Sequence, residues 1–176
     1  MAIKWKVDPA HSEVQFQVRH LMISKVTGYF KSFNSEVETE TEDFNTAKLI
    51  VFTAEIDSID TNNEQRDAHL KSSDFFGMEA HPQVLFVGNK YEGNGSEGKL
   101  HGDITLKGVT KSISVNVEFG GIADDPFGQT KAGFTINGKI NRKDFGLTWG
   151  AVTEAGAVVI SDEIKISADI QFTKQK

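Results

Sequence analysis

Along most of the chain, apolar side chains fall on every second position, the spacing that puts them on one face of an extended strand. Val14, Phe16 and Val18 alternate with Glu13, Gln15, Gln17 and Arg19, and after a short turn-like segment Val26, Gly28 and Phe30 follow in the same way. A third run, Lys48 to Ile56, reads two ways, because Leu49 and Val51 compete with Ile50, Phe52, Ala54 and Ile56 for the inward face. Five later runs are cleaner: Val84, Phe86, Gly88; Leu100, Gly102, Ile104, Leu106; Ile113, Val115, Val117, Phe119; Ala132, Phe134, Ile136, Gly138, Ile140; and Ile164, Ile166, Ala168, Ile170, Phe172. About eight strands result, the number at which an antiparallel sheet closes with room for packed side chains or one small ligand.

The segments between runs carry turn chemistry. Gly93-Asn94-Gly95-Ser96-Glu97-Gly98 and Lys107-Gly108-Val109-Thr110 each separate two alternating runs, and Asp124-Asp125-Pro126-Phe127-Gly128 forms a third loop. All three are rich in residues that tolerate tight turns. One segment departs from the strand pattern. Thr61-Asn62-Asn63-Glu64 matches a capping box and predicts a helix of about ten residues, supported by Asp67 and Lys71 at i,i+4. Ala68 and Leu70 are its main apolar residues, so it is expected across a barrel end or edge, anchored by Phe75, Phe76 and Met78. The expected fold is therefore all-β: residues 1–176 as one domain, a single eight-stranded antiparallel barrel with one short helix covering an end or edge.

Composition narrows the function classes. The thirteen Phe against two Tyr and two Trp favour dry contacts, since Phe has no polar tip needing a partner. A net charge of −6 with no basic stripe argues against a nucleic-acid partner. The absence of Cys removes disulfides and thiolate metal sites. No apolar stretch is long enough to span a bilayer, and Met1-Ala2-Ile3-Lys4-Trp5-Lys6 opens without a signal-peptide run. The expectation is a soluble cytoplasmic protein, or a periplasmic one if a leader has been removed.

Motifs of catalysis are weak. Gly93, Gly95 and Gly98 spell G-x-G-x-x-G, but Lys99 to Ile104 reads as strand, so no helix N-terminus follows to hold a pyrophosphate. Asn94-Gly95-Ser96 matches a glycosylation acceptor, which has no meaning without a secretory signal. The five histidines, His11, His20, His69, His81 and His101, lack metal-ligand spacing, so no metal is expected. His20 continues the phase of Phe16 and Val18 and is the histidine expected to face inward. Ser96 lacks the context of a nucleophile elbow, and Asp124 with Asp125 reads as a solvated turn.

The inward face is the remaining candidate. Phe16, Val18, Val26, Phe30, Phe52, Phe86, Ile104, Val115, Phe134 and Ile166 suit either a cavity lining or a filled core, and alternation does not choose between them. Gly28, Gly88, Gly102 and Gly138 lie in the same phase, where a missing side chain leaves space or marks a bend.

Several segments together resemble the YceI-like family of lipid-binding, lipocalin-like barrels. They are Trp5-Lys6-Val7-Asp8-Pro9-Ala10-His11-Ser12, the stretch from His20 to Phe30, Ser58-Ile59-Asp60-Thr61, the stretch from Arg66 to Phe76, Leu106-Lys107-Gly108-Val109-Thr110-Lys111, and Arg142-Lys143-Asp144-Phe145-Gly146-Leu147. Gly77 and His81-Pro82 depart from the family, which often carries an acidic residue after Asp-Phe-Phe and a Tyr before Pro. The resemblance implies an extended barrel that buries a polyisoprenoid or similar amphiphile along its axis, a polyprenyl chain or an isoprenoid quinone or precursor.

On that reading the chain is a non-enzymatic carrier or store that needs no cofactor beyond its lipid, and a homodimer is reasonable. Phe75 and Phe76 join the tail-binding set above. His20, Arg66 and Arg142 are the head-group candidates, with Asp67 and Asp144 beside them expected to serve capping and ion pairing. Two rival readings are an enzyme acting on such a lipid with His20 and a carboxylate, and a stress-associated interaction protein with a filled core.

Overall fold

Eleven strand segments join into one antiparallel sheet that closes on itself. They are β1 (Ile3–Val7), β2 (Glu13–His20), β3 (Ser24–Phe30), β4 (Phe33–Thr39), β5 (Ala47–Glu55), β6 (Ile59–Asp60), β7 (Gln83–Asn94), β8 (Glu97–Leu106), β9 (Val109–Asp124), β10 (Thr130–Asn141) and β11 (Glu163–Lys174). The computed structural model describes residues 2–21, 23–147 and 160–176.

The segments make an eight-stranded barrel because three strands are interrupted. A 3-10 turn at Pro9–His11 separates β1 from β2, and both pair with β11, β1 at Phe172 to Lys174 and β2 at Lys165 to Asp169. Likewise β4 pairs with β1 while β3 pairs with β2, and β5 pairs with β4 while β6 pairs with β3. The sequence pattern showed the β2 and β3 halves but not β1, β4 or β6. In β4 the inward positions include the buried polar residues Ser35 and Thr39, which break the apolar alternation. Each is satisfied across the sheet: Ser35 Oγ donates to the Val51 carbonyl (2.8 Å), and Thr39 Oγ1 accepts from Trp5 Nε1 (3.0 Å).

The first interruption is pinned by an ion pair. Asp8 caps the 3-10 turn by accepting from the Ala10 N–H (3.1 Å) and pairs with Lys131 Nζ of β10 at 2.9 Å. The Lys131 hydrogen bond, joined by one from His11, holds the Asp8 carboxyl down at about 2 against the opposing effect of burial.

Turn geometry follows the sequence. Asn94 faces Glu97 across Gly95-Ser96, with Gly95 at φ +64°, and Leu106 faces Val109 across Lys107-Gly108, both at positive φ. The ambiguous third run resolves with Ile50, Phe52, Ala54 and Ile56 inward and Leu49 exposed.

The helix, α1 (Glu64–Lys71), is eight residues long and starts two residues later than the capping-box reading requires. Asn63, not Thr61, is its cap and accepts from the Arg66 N–H (3.0 Å). Thr61 is buried and instead binds the Asp67 carboxylate through both its N–H and its hydroxyl, tying α1 to the end of β6. Asp67 is thus engaged away from Lys71, whose ammonium pairs with Asp57 at 3.3 Å. The expected Asp67–Lys71 pair does not form. No helix of the described residues is long and apolar enough to cross a membrane.

Candidate ligand-binding site

The barrel has two different ends. At one end an aromatic cluster plugs the bore. Phe44, carried by the loop between β4 and β5, packs against Trp5 (4.9 Å between ring centroids), Phe134 (4.8 Å) and Phe119 (5.9 Å), and Trp5 is fully buried. Neither Trp5 nor Phe44 stood out as inward-facing in the sequence. Phe44 lies in a loop outside any alternating run, and Trp5 sits in a strand of five residues.

At the other end α1 and the segment after it, with Phe75 and Phe76, lie across the mouth. The Arg142–Phe145 turn between β10 and β11 closes the side, and its leading residue is buried. Arg142 donates from Nη1 to the Leu147 carbonyl (2.8 Å), from Nε to Ser161 (3.0 Å) and from Nη2 to Ile160 (3.3 Å). It therefore clamps together the two described ends of the β10–β11 connection. Burial pushes its guanidinium below the ordinary arginine range, and the nearby Asp162 carboxylate opposes that shift.

Between the plug and the lid lie two adjoining chambers. The inner one, of about 190 Å³, is walled almost wholly by apolar side chains. Its few polar residues are turned to one another or to the backbone: Gln15 Nε2 donates to Ser167 Oγ (2.9 Å), and Ser35 binds Val51 as above. Burial and the Asp43 carboxylate raise the pKa of Tyr91, another wall residue, so its phenol stays neutral. The outer chamber, of about 490 Å³, lies under the lid and is amphipathic. Asn63, Gln65, Arg66, His69, His20 and Arg142 supply its polar wall, and among the described residues no acidic side chain lines it.

All twelve residues expected to touch a tail line these chambers. Phe52, Phe86, Val115 and Phe134 face the inner one; Phe16, Val18, Val26, Phe75 and Phe76 face the outer one; Phe30, Ile104 and Ile166 face both. The three head-group candidates all reach the outer chamber but differ in character. Arg142 is committed to carbonyls. Arg66 is exposed at the lid and donates from Nε to Thr61 Oγ1 (2.8 Å). His20 lines the chamber but is exposed at its rim rather than turned fully inward, because it ends β2. His69, not singled out from the sequence, also lines the outer chamber and is held by Asp74 (2.8 Å) and the Phe75 ring (5.1 Å). Its position three residues after the candidate Arg66, on the same face of α1, was the signal available. Asp144 is exposed.

The in-phase glycines do not leave empty space. A methyl group on Gly28 would stand 2.3 Å from the Phe16 ring, on Gly102 2.5 Å from the Phe86 ring, on Gly88 2.7 Å from Ile50, and on Gly138 2.5 Å from Val115. Each glycine receives a neighbour's large side chain, the small–large alternation by which a narrow barrel fills its wall. Gly88 also sits at a register shift between β7 and β8, so there the bend reading holds as well.

A UPF0312 protein of Staphylococcus aureus (strain MSSA476) is 40% identical over 169 residues, covering 94% of this chain and 95% of that one. The crystal structure of a Campylobacter jejuni YceI protein matches with a TM-score of 0.77 and 33% identity over 90% of each chain. A polyisoprenoid binding domain from Saccharophagus degradans matches with a TM-score of 0.73 over 97% of this chain and 98% of that one; at 13% identity it shares the fold alone. A family model described as a YceI-like domain matches residues 5–172, nearly the whole barrel with its plug and lid, and the chain belongs to that YceI-like family.

Proposed function

We propose that this protein is a non-enzymatic carrier or store of a long isoprenoid lipid, a polyprenyl chain or an isoprenoid quinone. The observation that carries the reading is the polarity gradient along the bore, from an apolar inner chamber to an outer chamber with donors on its wall. An amphiphile fits that gradient in one orientation, tail toward the aromatic plug and head group toward His20, Arg66 and His69. Each buried CH₂ contributes about 0.8 kcal/mol, so a few isoprene units suffice for tight binding after ordering costs. The isoprenoid class is supported by the Saccharophagus degradans domain, a polyisoprenoid binding domain of the same fold.

The test is direct. Organic extraction of the purified protein followed by mass spectrometry is expected to release an isoprenoid lipid, and the stripped protein is expected to take up added polyprenol. An extract without lipid, together with no uptake, would overturn the reading. Turnover of a bound prenyl compound that vanishes in His20→Ala would replace it with an enzymatic one.

A further inference from the structure

The two chambers meet at a shared ring of side chains. Among the described residues, the four that line both are Phe30 from β3, Val84 from β7, Ile104 from β8 and Ile166 from β11. These strands are spread around the closed sheet, so the four side chains encircle the bore. Phe30 is the last residue of β3, placed where the strand breaks before β4. Its ring is held on two sides, by Phe16 of the wall at 5.6 Å and by Phe76 of the lid segment at 6.5 Å. Val84 faces the small Ala54 across the β5–β7 pair.

We infer that this ring is a neck that grades ligands by chain length, with Phe30 and Val84 as its specificity-determining residues. The inference rests on the isoprenoid reading above. A short prenyl chain is housed by the outer chamber, the larger of the two at about 490 Å³ against about 190 Å³. A long chain gains further apolar burial only by threading its end through the neck into the inner chamber. A charged head group is too polar to follow into the apolar inner chamber, so the neck also fixes the direction of insertion. Long chains are thereby preferred over short ones by what lies beyond the neck, not by anything at the mouth.

The experiment measures affinity for farnesol and for solanesol, a long all-trans prenol, on lipid-stripped protein, with folding checked by circular dichroism and thermal melting. The readout is the ratio of the two affinities, which a merely structural defect would leave unchanged. Val84→Phe fills the neck and is expected to lower the solanesol-to-farnesol ratio by about tenfold or more. Phe30→Ala widens the neck and is expected to raise the ratio, and it carries the test if the larger side chain is not accommodated. Parallel changes for both prenols in both variants would overturn the neck while leaving the isoprenoid reading intact. Failure of the wild-type protein to bind either prenol would overturn both.

Discussion

Phe16 lies over Gly28, its partner in the β2–β3 register, so closely that a methyl group at residue 28 would meet Cζ of the ring at 2.3 Å. The same Phe16 faces Ile166 of β11, and Ile166 faces Gly138 of β10. Two large side chains thus stand side by side with a glycine on each outer side, across four neighbouring strands at the level where the outer chamber begins.

Gly28→Ala is therefore expected to force the Phe16 ring off its seat and to destabilise the protein by about 1–3 kcal/mol. Urea unfolding of Gly28→Ala, Phe16→Ala and the double variant checks this. The double variant should be more stable than the sum of the two single losses, because removing the ring removes the clash.

Asp8 makes stability depend on pH in a defined direction. Its carboxyl is held at about 2 in the folded protein, below the ordinary aspartate value of 3.8. A depressed native pKa stabilises the fold above the unfolded value, and that stabilisation is lost as pH falls from about 4 through about 2. The contribution is about 1–2 kcal/mol at neutral pH once solvent screening of the pair is allowed for. Unfolding free energies of wild type and Asp8→Asn should differ at pH 7 and converge over that acid range. A difference that persists below pH 2 would mean that Asn fails for some reason other than charge.

Arg142→Met should be among the more damaging single changes. It strips donors from the carbonyls of Leu147, Ile160 and Ser161, and each buried acceptor left unpaired costs about 1–3 kcal/mol. Arg142→Lys keeps the charge but cannot fork to three carbonyls, so it should rescue only partly. Thermal melts of the two variants check the order wild type, Lys, Met.

Phe44→Ala removes the centre of the aromatic plug, with an expected loss of about 3–5 kcal/mol. Trp5 packs on that ring at 4.9 Å between centroids, so its fluorescence should shift to the red and become accessible to acrylamide. Unchanged emission would mean that neighbouring side chains collapse into the gap.

What the sequence determined by itself was the wall of the barrel. A strand turns successive side chains to opposite faces whatever it pairs with, so Phe16 and Val18, or Val115 and Val117, reveal their inward phase locally. The two-residue turns at Gly95-Ser96 and Lys107-Gly108 are local for the same reason, since positive φ is a property of the residues in the turn. What only the tertiary structure decided was what depends on how separate elements come together. β4 reads poorly because Thr39 finds its hydrogen-bond partner in Trp5, thirty-four residues away. Thr61 looked like a helix cap because its relation to Asp67 depends on how α1 folds back onto β6. The in-phase glycines suggested space until Phe16, Ile50, Phe86 and Val115 occupied it from neighbouring strands. Phe30, Val84, Ile104 and Ile166, which line both chambers, come from strands that meet only when the sheet closes, and no local pattern carries that distance.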